Sequence, residues 1–284
     1  MTQTFLAYWL GYITGEATLE DTPDGVDVVA LAFAVTAPET DGDSITLDFL
    51  EKDHSEAEIR AGAKALQARG IKVVMSINGN PNWHNGGWEN LDAPQFAANV
   101  KAIVVDDWGL DGVDLDNESA PTPGQNFVDV IAALRQAFGP DALITLPVYM
   151  GTERDAYLAQ AKDDISFVST MAYWNDFDGQ VALFGDYATL VGPQKVAIGV
   201  ANAANAGQNT PYEAVAECAA WDPPGASKAG MMLWNLNAPP PGETQLWCQD
   251  IAGNLPKTAT ATPAGTACTG EQATQECAPT IPAT

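Results

Sequence analysis

Residues 110–118 read LDGVDLDNE, a strand-like segment that carries several acidic side chains. Because side chains alternate across a β-strand, Asp114, Asp116 and Glu118 share one face, and the apolar residues between them share the other. The apolar face suits contact with covering helices, so the acids are expected to point into the interior of a closed sheet. Carboxylates gathered there are predicted to titrate as a coupled set that retains at least one proton. Glu118 comes last, at the carboxyl end of the strand, where a raised pKa would make it a general acid.

Seven other segments have the apolar, β-branched composition of buried strands, and helical periodicity separates several of them. The eight strand candidates are residues 4–13, 26–36, 71–78, 110–118, 142–150, 165–175, 194–202 and 228–236. The clearest helices begin at the Ser55–Glu58 capping box, after Asp92 and near Phe127. Apolar strands that alternate with helices favour parallel pairing buried on both faces. Since residues 4–255 match the roughly 250 residues of a (β/α)₈ TIM barrel, we predict that fold for a single domain.

The charge composition excludes several classes of partner. The chain of 284 residues has 37 Asp plus Glu against 12 Lys plus Arg, a formal net charge of −25. Such a field repels phosphates and anionic lipid headgroups, so we expect no nucleic-acid partner, no membrane partner and a soluble monomer. The only histidines are His54 and His84, and no C-x-x-C motif accompanies them. We therefore expect no metal site and no cofactor.

The C-terminal end of the sequence differs in composition from the rest. We predict that residues 1–255 form the catalytic barrel and that residues 256–284, rich in Ala, Thr and Pro, are an extension with little core of its own. The cysteines are Cys218, Cys248, Cys268 and Cys277. Disulfides that pair the first two and the last two would suit an oxidising compartment, although three pairings stay open. We expect an extracellular protein whose secretory leader is absent from this sequence.

Residues 111–118 match the D-G-x-D-x-D-x-E signature of family 18 glycoside hydrolases without a gap. The chain therefore resembles the chitinases and endo-β-N-acetylglucosaminidases of that family. Further resemblance lies at residues 72–79, like the strand-three S-x-G-G segment, at 171–173, like the strand-six M-x-Y, and at 231–234, like the strand-eight segment that ends in tryptophan. The chain departs from the family pattern at Asn78, where glycine is usual, and at Trp174, where Asp or Asn is common.

The resemblance implies a retaining mechanism in which the substrate itself supplies the nucleophile. Glu118 would protonate the leaving glycosidic oxygen while the 2-acetamido carbonyl attacks the anomeric carbon, and it would then act as the base for water. Asp116 would orient the acetamido N–H, and Asp114 behind it would tune how the proton is shared. Tyr173 would hold the acetamido carbonyl. The implied partner is a carbohydrate that contains N-acetylglucosamine.

Substrate-binding residues follow from the same resemblance. Trp234 would stack beneath the reacting sugar, because a pyranose presents an apolar C–H face to an indole. Ser76 and Met171 belong to the strand-three and strand-six segments that match the family. Asn175 is in phase with Tyr173 on a regular strand, so it could supply the polar contact that the family places one residue earlier.

Three further aromatic residues leave two interpretations open. Trp83 and Trp88 lie in the Gly- and Asn-rich loop after strand three and are candidates for outer sugar subsites. Packing against the first strand or a neighbouring helix is the alternative for both. Tyr8, on the first strand, could reach the substrate or belong to the core.

The spacing of the last two strand candidates bears on the shape of the groove. About 25 residues separate them, too few for the α+β insertion domain of deep-cleft family members. A shallow groove favours endo-cleavage, so the resemblance implies a chitinase acting on β-1,4-linked N-acetylglucosamine polymers. The alternative is an endo-β-N-acetylglucosaminidase that cleaves the chitobiose core of N-glycans. A lectin-like, non-catalytic barrel is the third interpretation, against which Glu118 argues, since such members typically lose this residue.

Overall fold

The computed structural model describes residues 3–14, 17–37, 43–79, 87–118, 124–149, 151–202 and 209–256. Its strands are β1 (Thr4–Leu10), β2 (Val28–Ala37), β3 (Ser44–Thr46), β4 (Lys72–Asn78), β5 (Gly112–Asp116), β6 (Leu143–Val148), β7 (Phe167–Thr170), β8 (Val196–Ala201) and β9 (Gly230–Trp234). All of these except β3 pair in parallel, in the order β1-β9-β8-β7-β6-β5-β4-β2, and the pairing of β1 with β2 closes the barrel. The short β3 pairs with β2 in the antiparallel sense. The predicted (β/α)₈ barrel is confirmed.

Helices follow most of the strands and cover the outside of the sheet. They are α1 (Glu56–Ala68), α2 (Ala93–Lys101), α3 (Gln125–Phe138), α4 (Leu158–Ala161), α5 (Phe177–Val191), α6 (Tyr212–Ala220) and α7 (Pro241–Asn254). The predicted capping box begins α1, where the Ser55 hydroxyl accepts from the backbone N–H of Glu58 and the Glu58 carboxylate accepts from Ser55 N–H. Asp92 caps α2 by accepting from the backbone of Gln95.

Strand ends differ from the sequence prediction at the carboxyl end of the barrel. The segment predicted over 165–175 is a strand only at Phe167–Thr170, and the segment predicted over 110–118 ends as a strand at Asp116. Beyond these points several side chains, among them Glu118, Met171 and Tyr173, line a pocket. Between β8 and β9, the residues that the structure describes contain one helix and no α+β domain.

Buried apolar side chains form two layers. The larger lies between the sheet and the helices and includes Ile59 of α1 and Phe127 of α3. The smaller fills the barrel interior, with Leu6 of β1 and Val74 of β4 among its members. The interior also holds the carboxyl group of Asp114, which is 0% exposed. Only polar neighbours inside the barrel can compensate such a group for its lost hydration.

Gly112 begins β5 at a point of very close strand approach. Its φ is 153°, and a Cβ at this position would lie 2.0 Å from the carbonyl oxygen of Leu143 on β6. We expect Gly112→Ala to destabilise the fold by about 3 kcal/mol or more, because strain and a backbone clash combine. Gly139 is the matched control, since its φ is also positive, at 83°, but nothing lies within 4 Å of the added carbon. Its change to Ala should cost about 1 kcal/mol in urea unfolding, and equal losses would contradict this account.

Cys218 on α6 and Cys248 on α7 are free, buried thiols, so the expected disulfide between them is wrong. The register of the two helices gives the reason. The ring of Tyr212 contacts the ring of Trp247 with centroids 5.3 Å apart. Cys218 lies six residues beyond Tyr212, about 9 Å along the helix axis, whereas disulfide-bonded Cα atoms are usually about 4.4–6.8 Å apart.

Two other predictions concern the C-terminal segment and membranes. Cys268, Cys277 and nearly all of the segment 256–284 lie outside the described residues, so their pairing and the domain boundary stay predictions. In the part of the chain that the structure describes, no helix combines the length and apolar character needed to cross a bilayer.

Candidate active site

Strand β5 and the two residues after it carry three acidic side chains, which extend from the barrel interior to an open pocket. Asp114 is 0% exposed and Asp116 is 2% exposed. Glu118, two residues beyond the end of the strand, is exposed and lines the pocket together with Asp116. The alternation of side chains along the strand therefore places the acids on one side, as the sequence pattern predicts.

Asp114 is held by hydroxyl groups from three other strands, the neighbouring β4 and β6 and the more distant β1. Tyr8 and Ser76 donate to its Oδ2 at 2.9 and 2.7 Å, and Thr145 donates to its Oδ1 at 2.6 Å. Burial raises the pKa of Asp114 to about 6, although the hydroxyl donors, Thr145 first among them, act to lower it. This network fixes the innermost acid and aligns the strand that carries the other two.

Asp116 and Glu118 form a coupled pair of carboxyl groups. Burial, then the charges of Glu118 and Asp114, raise the pKa of Asp116 well above its ordinary value. Although Glu118 is open to the pocket, the surrounding protein atoms remove part of the water from its carboxyl group, which raises its pKa, while its hydrogen bond with Asp116 acts to lower it. Asn78 donates to Oδ2 of Asp116 at 2.7 Å, but no N–H or hydroxyl of the described residues reaches the buried Oδ1. Two charged carboxylates repel each other at this distance from solvent, which favours a proton shared by the pair.

Aromatic residues surround this pair in an open-topped pocket. It is lined by Tyr8, Phe33, Asp116, Glu118, Pro147, Tyr149, Met171, Tyr173, Trp174 and Trp234. Trp234 is half-buried, and its ring contacts Tyr8 and Phe33 with centroids 5.3 and 5.9 Å apart. Such rings offer apolar surface to a sugar, while the carboxyl pair offers a proton.

Tyr173 places a neutral hydroxyl in the pocket. Burial and the negative charges of Asp116, Glu118 and Asp114 raise its pKa well above the ordinary value, so the hydroxyl keeps its proton. Its hydrogen-bond partner within the described residues is the thioether of Met232, at 3.8 Å. A thioether is a weak acceptor, so the Tyr173 hydroxyl can donate to a stronger acceptor such as an amide carbonyl.

Several residues predicted to bind substrate have other roles. Ser76 is 0% exposed and holds Asp114. Tyr8 lines the pocket with its ring, but its hydroxyl donates to Asp114. Asn175 does not line the pocket, since its backbone N–H closes a turn onto Ala172 and its side chain packs against Gly179. The prediction for Asn175 assumed that it lies on a regular strand with Tyr173, and this turn interrupts that strand.

Trp88 belongs to the core, so its predicted role as a sugar subsite is wrong. It is 2% exposed, and its ring contacts Phe96 of α2 and Phe127 of α3 with centroids 6.1 and 4.7 Å apart. Its indole also covers Gly79, where a Cβ would lie 1.9 Å from Nε1. Trp83, the other tryptophan of this loop, lies outside the described residues.

Four further pocket residues were not assigned to the site from the sequence. Phe33, Pro147, Tyr149 and Trp174 all line the pocket. Pro147, Tyr149 and Trp174 lie near or beyond the carboxyl ends of their strands, the end at which barrel enzymes assemble their sites, so strand position was the available signal for these three. Asn78 was noted only as a departure from the family pattern, yet its amide holds Asp116.

Comparison with known proteins agrees with this geometry. A family model described as the endo-β-N-acetylglucosaminidase EndoS TIM-barrel domain matches residues 11–233, which is 223 of the 284 residues. The chain belongs to glycoside hydrolase family 18. As a family 18 member, it is 30% identical over 155 residues to Exochitinase 1 from Streptomyces olivaceoviridis. That match covers 47% of this chain and 25% of the exochitinase.

The family 18 relatives of this chain include both chitinases and endo-β-N-acetylglucosaminidases. An endo-β-N-acetylglucosaminidase from a Flavobacterium species is 40% identical over 94 residues, 29% of this chain and 29% of that protein. A family 18 chitinase from Chromobacterium violaceum shares the fold with a TM-score of 0.71 at 19% identity, over 89% of this chain and 83% of that one. The family 18 chain thus spans between a quarter and a third of the length of these curated relatives.

Proposed function

We propose that the chain is a retaining endo-hydrolase of β-1,4-linked N-acetylglucosamine polymers, that is, a chitinase. The observation that carries the proposal is that one pocket brings together the carboxyl groups of Asp116 and Glu118 and the side chain of Tyr173. A pocket with a proton donor, a second acid and a neutral hydrogen-bond donor suits a sugar whose acetamido group takes part in the reaction.

In the first step, Glu118 donates its proton to the glycosidic oxygen as the bond to the anomeric carbon breaks. The carbonyl oxygen of the 2-acetamido group forms the new bond to that carbon and gives an oxazolinium ion. Tyr173 donates a hydrogen bond that orients this carbonyl, and the negative charge left on the acid pair stabilises the cation. The Oδ1 of Asp116 accepts no hydrogen bond from an N–H group of the described residues, so it can accept the acetamido N–H once the proton has moved to the leaving oxygen.

In the second step, the Glu118 carboxylate takes a proton from water, and the water oxygen bonds to the anomeric carbon. The carbon–oxygen bond of the oxazolinium ring breaks, which restores the acetamido group and gives the product with retained configuration. Trp234 would support the sugar ring in both steps, since its half-buried indole lies beside Tyr8 and Phe33 at the pocket wall.

The second candidate is an endo-β-N-acetylglucosaminidase that cleaves the chitobiose core of N-glycans. The description of the matching family model and the 40% identical Flavobacterium relative favour it. The two candidates share the chemistry of the reacting sugar. They differ in what lies beyond that sugar. The substrate of a chitinase continues as an N-acetylglucosamine chain. The substrate of the second candidate has a branched mannose glycan on one side of the cleaved bond and a protein on the other.

A product-release assay distinguishes the two substrates. Purified protein is incubated with chitin hexasaccharide and, separately, with a high-mannose glycoprotein, and the products are identified by mass spectrometry. We expect internal cleavage of the hexasaccharide, with the Glu118→Gln variant as the inactive control. Release of glycan that leaves one N-acetylglucosamine on the protein, without cleavage of the hexasaccharide, would favour the second candidate instead.

We further propose that the protein acts outside the cell as a monomer. Polymeric chitin is insoluble and cannot enter a cell, and a net charge of −25 opposes self-association. Size-exclusion chromatography with light scattering measures the molar mass in solution, and we expect the mass of a single chain.

A further inference from the structure

Gln180, in the first turn of α5, is a buried amide that the proposed mechanism does not use. Its side chain is 0% exposed, and its Nε2 donates to two backbone carbonyls, that of Ala172 at 3.0 Å and that of Gly199 at 3.1 Å. Its Oε1 is buried and has no hydrogen-bond partner among the described residues. Since a buried acceptor without a partner is unfavourable by about 1–3 kcal/mol, the two N–H donors are the part of this side chain that stabilises the contact.

The two carbonyls lie beyond the paired part of β7 and β8. These strands pair at Val168 with Val196 and at Ser169 with Ala197. A carbonyl oxygen only accepts hydrogen bonds, so two carbonyls that face the same gap cannot bond to each other. The NH2 group of Gln180 supplies one N–H to each and joins the two segments where they separate.

The bond to Ala172 acts on the backbone of Tyr173. The carbonyl of Ala172 and the N–H of Tyr173 belong to one planar peptide group. The same carbonyl also accepts from the N–H of Asn175 at 2.9 Å, so two donors fix the orientation of this peptide plane. Tyr173 lies three residues beyond the end of β7, and these bonds therefore set its position in place of strand pairing.

The bond to Gly199 acts near the hydroxyl end of Tyr173. Gly199 of β8 lies opposite Met232 of β9, and a Cβ at Gly199 would lie 2.7 Å from the methyl carbon of Met232. The sulfur of Met232 is the partner of the Tyr173 hydroxyl, at 3.8 Å. Because a thioether is a weak acceptor, this contact alone holds the hydroxyl weakly. Gln180 thus links the backbone that carries Tyr173 to the strand that packs against its hydroxyl contact.

We propose that Gln180 is a positioning residue for the hydroxyl of Tyr173. This inference rests on the proposed function, in which that hydroxyl orients the acetamido carbonyl of the reacting sugar. Gln180 does not line the pocket, so its effect on the reaction is transmitted by Tyr173. The carbonyl oxygen must be aligned with the anomeric carbon when it attacks, and a small displacement of the group that orients it lowers kcat.

A double-mutant cycle tests whether Gln180 acts through that hydroxyl. Gln180→Met keeps the length of the side chain and removes both N–H donors. We expect it to lower kcat on chitin hexasaccharide about tenfold and to leave KM within about twofold of the wild type. In a Tyr173→Phe background no hydroxyl is left to position, so the same change should alter kcat by less than about twofold.

Asn126→Leu on α3 is the matched control. The Asn126 amide also donates to two backbone carbonyls, those of Trp88 and Leu91, at 2.5 and 3.0 Å, and none of these three residues lines the pocket. Asn126→Leu should lower the urea midpoint of unfolding, as Gln180→Met does, because both changes leave two carbonyls without their donor. Unlike Gln180→Met, it should leave kcat within about twofold of the wild type.

The outcomes separate this inference from the function on which it rests. A loss in Gln180→Met that is equally large in the Tyr173→Phe background overturns the inference, because it shows a general structural role, and so does an unchanged kcat in Gln180→Met. If Gln180→Met does not fold, Gln180→Glu, whose buried carboxyl group keeps one donor when protonated, is taken through the same cycle. Failure of both variants to fold overturns the inference by assigning Gln180 to the stability of the barrel.

Two results test the proposed function itself. An inactive wild type contradicts that function, and full activity in Tyr173→Phe contradicts the role of the hydroxyl in it. In either case the inference falls with the proposal on which it rests.

Discussion

Changing Glu118 to Gln is expected to lower kcat on chitin oligosaccharides about 1000-fold, because the amide cannot give a proton to the leaving oxygen or take one from water. Glu118 is exposed at the pocket, so the change should leave folding intact. Binding should also survive, since Gln keeps the shape and a hydrogen-bonding group. Initial rates and isothermal titration with the uncleaved oligosaccharide measure the two effects separately.

Two controls show whether the loss comes from the missing proton. Glu153→Gln changes an exposed carboxylate on the loop after β6, outside the pocket, and should retain full activity. Chitobiosyl fluoride needs no protonation of its leaving group, so Glu118→Gln should lose less of its first-step rate on this substrate than on an oligosaccharide. Unchanged turnover of the oligosaccharide in Glu118→Gln would contradict the assignment of the acid.

The Asp116→Asn variant should combine a loss of rate with a shift of the pH profile. We expect kcat to fall about 100-fold or more, because the neutral amide no longer balances the positive charge of the oxazolinium ion. In the wild type, burial and the repulsion of two adjacent charges make the pair lose its last proton at a raised pKa. Without that neighbouring charge, Glu118 loses its proton at lower pH. The basic limb of kcat/KM against pH should therefore move to lower pH.

Asp129→Asn on α3 is the matched control for this profile. Asp129 accepts a hydrogen bond from Gln125 on the outside of the barrel and does not line the pocket. Its rate and pH profile should match the wild type. A basic limb that stays in place in Asp116→Asn would show that the pair does not titrate as a unit, even if the rate falls.

The barrel could be predicted because most of its strands are nearly continuous runs of apolar residues. β2 is buried along its whole length from Val28 to Ala37, as expected of a parallel strand covered on both faces. The acids of β5 could be predicted for the opposite reason, since Asp114 and Asp116 interrupt an apolar strand at a period of two. Both signals are local, and a local signal can be read from the chain without knowledge of its neighbours.

The roles of single residues depended on contacts that the linear sequence does not show. Ser76 and Asn78 matched or departed from a motif, but only the neighbouring β5 shows that they hold Asp114 and Asp116. Trp88 and Trp174 are both tryptophans beyond a strand end, yet one covers Gly79 in the core and the other stands at the pocket rim. Packing against α2 and α3 decides the first, and a turn held by Gln180 decides the second.

The participation of the substrate's own acetamido group can be measured by making its carbonyl a weaker nucleophile. Chitobiosyl substrates are prepared with one, two or three fluorine atoms on the N-acetyl group of the reacting sugar, all with the same leaving group. Because fluorine withdraws electrons from the carbonyl oxygen, we expect kcat to fall steeply with each fluorine added. A kcat that stays constant across the series would contradict the account, since it would mean that the enzyme or water, and not the acetamido group, attacks the anomeric carbon.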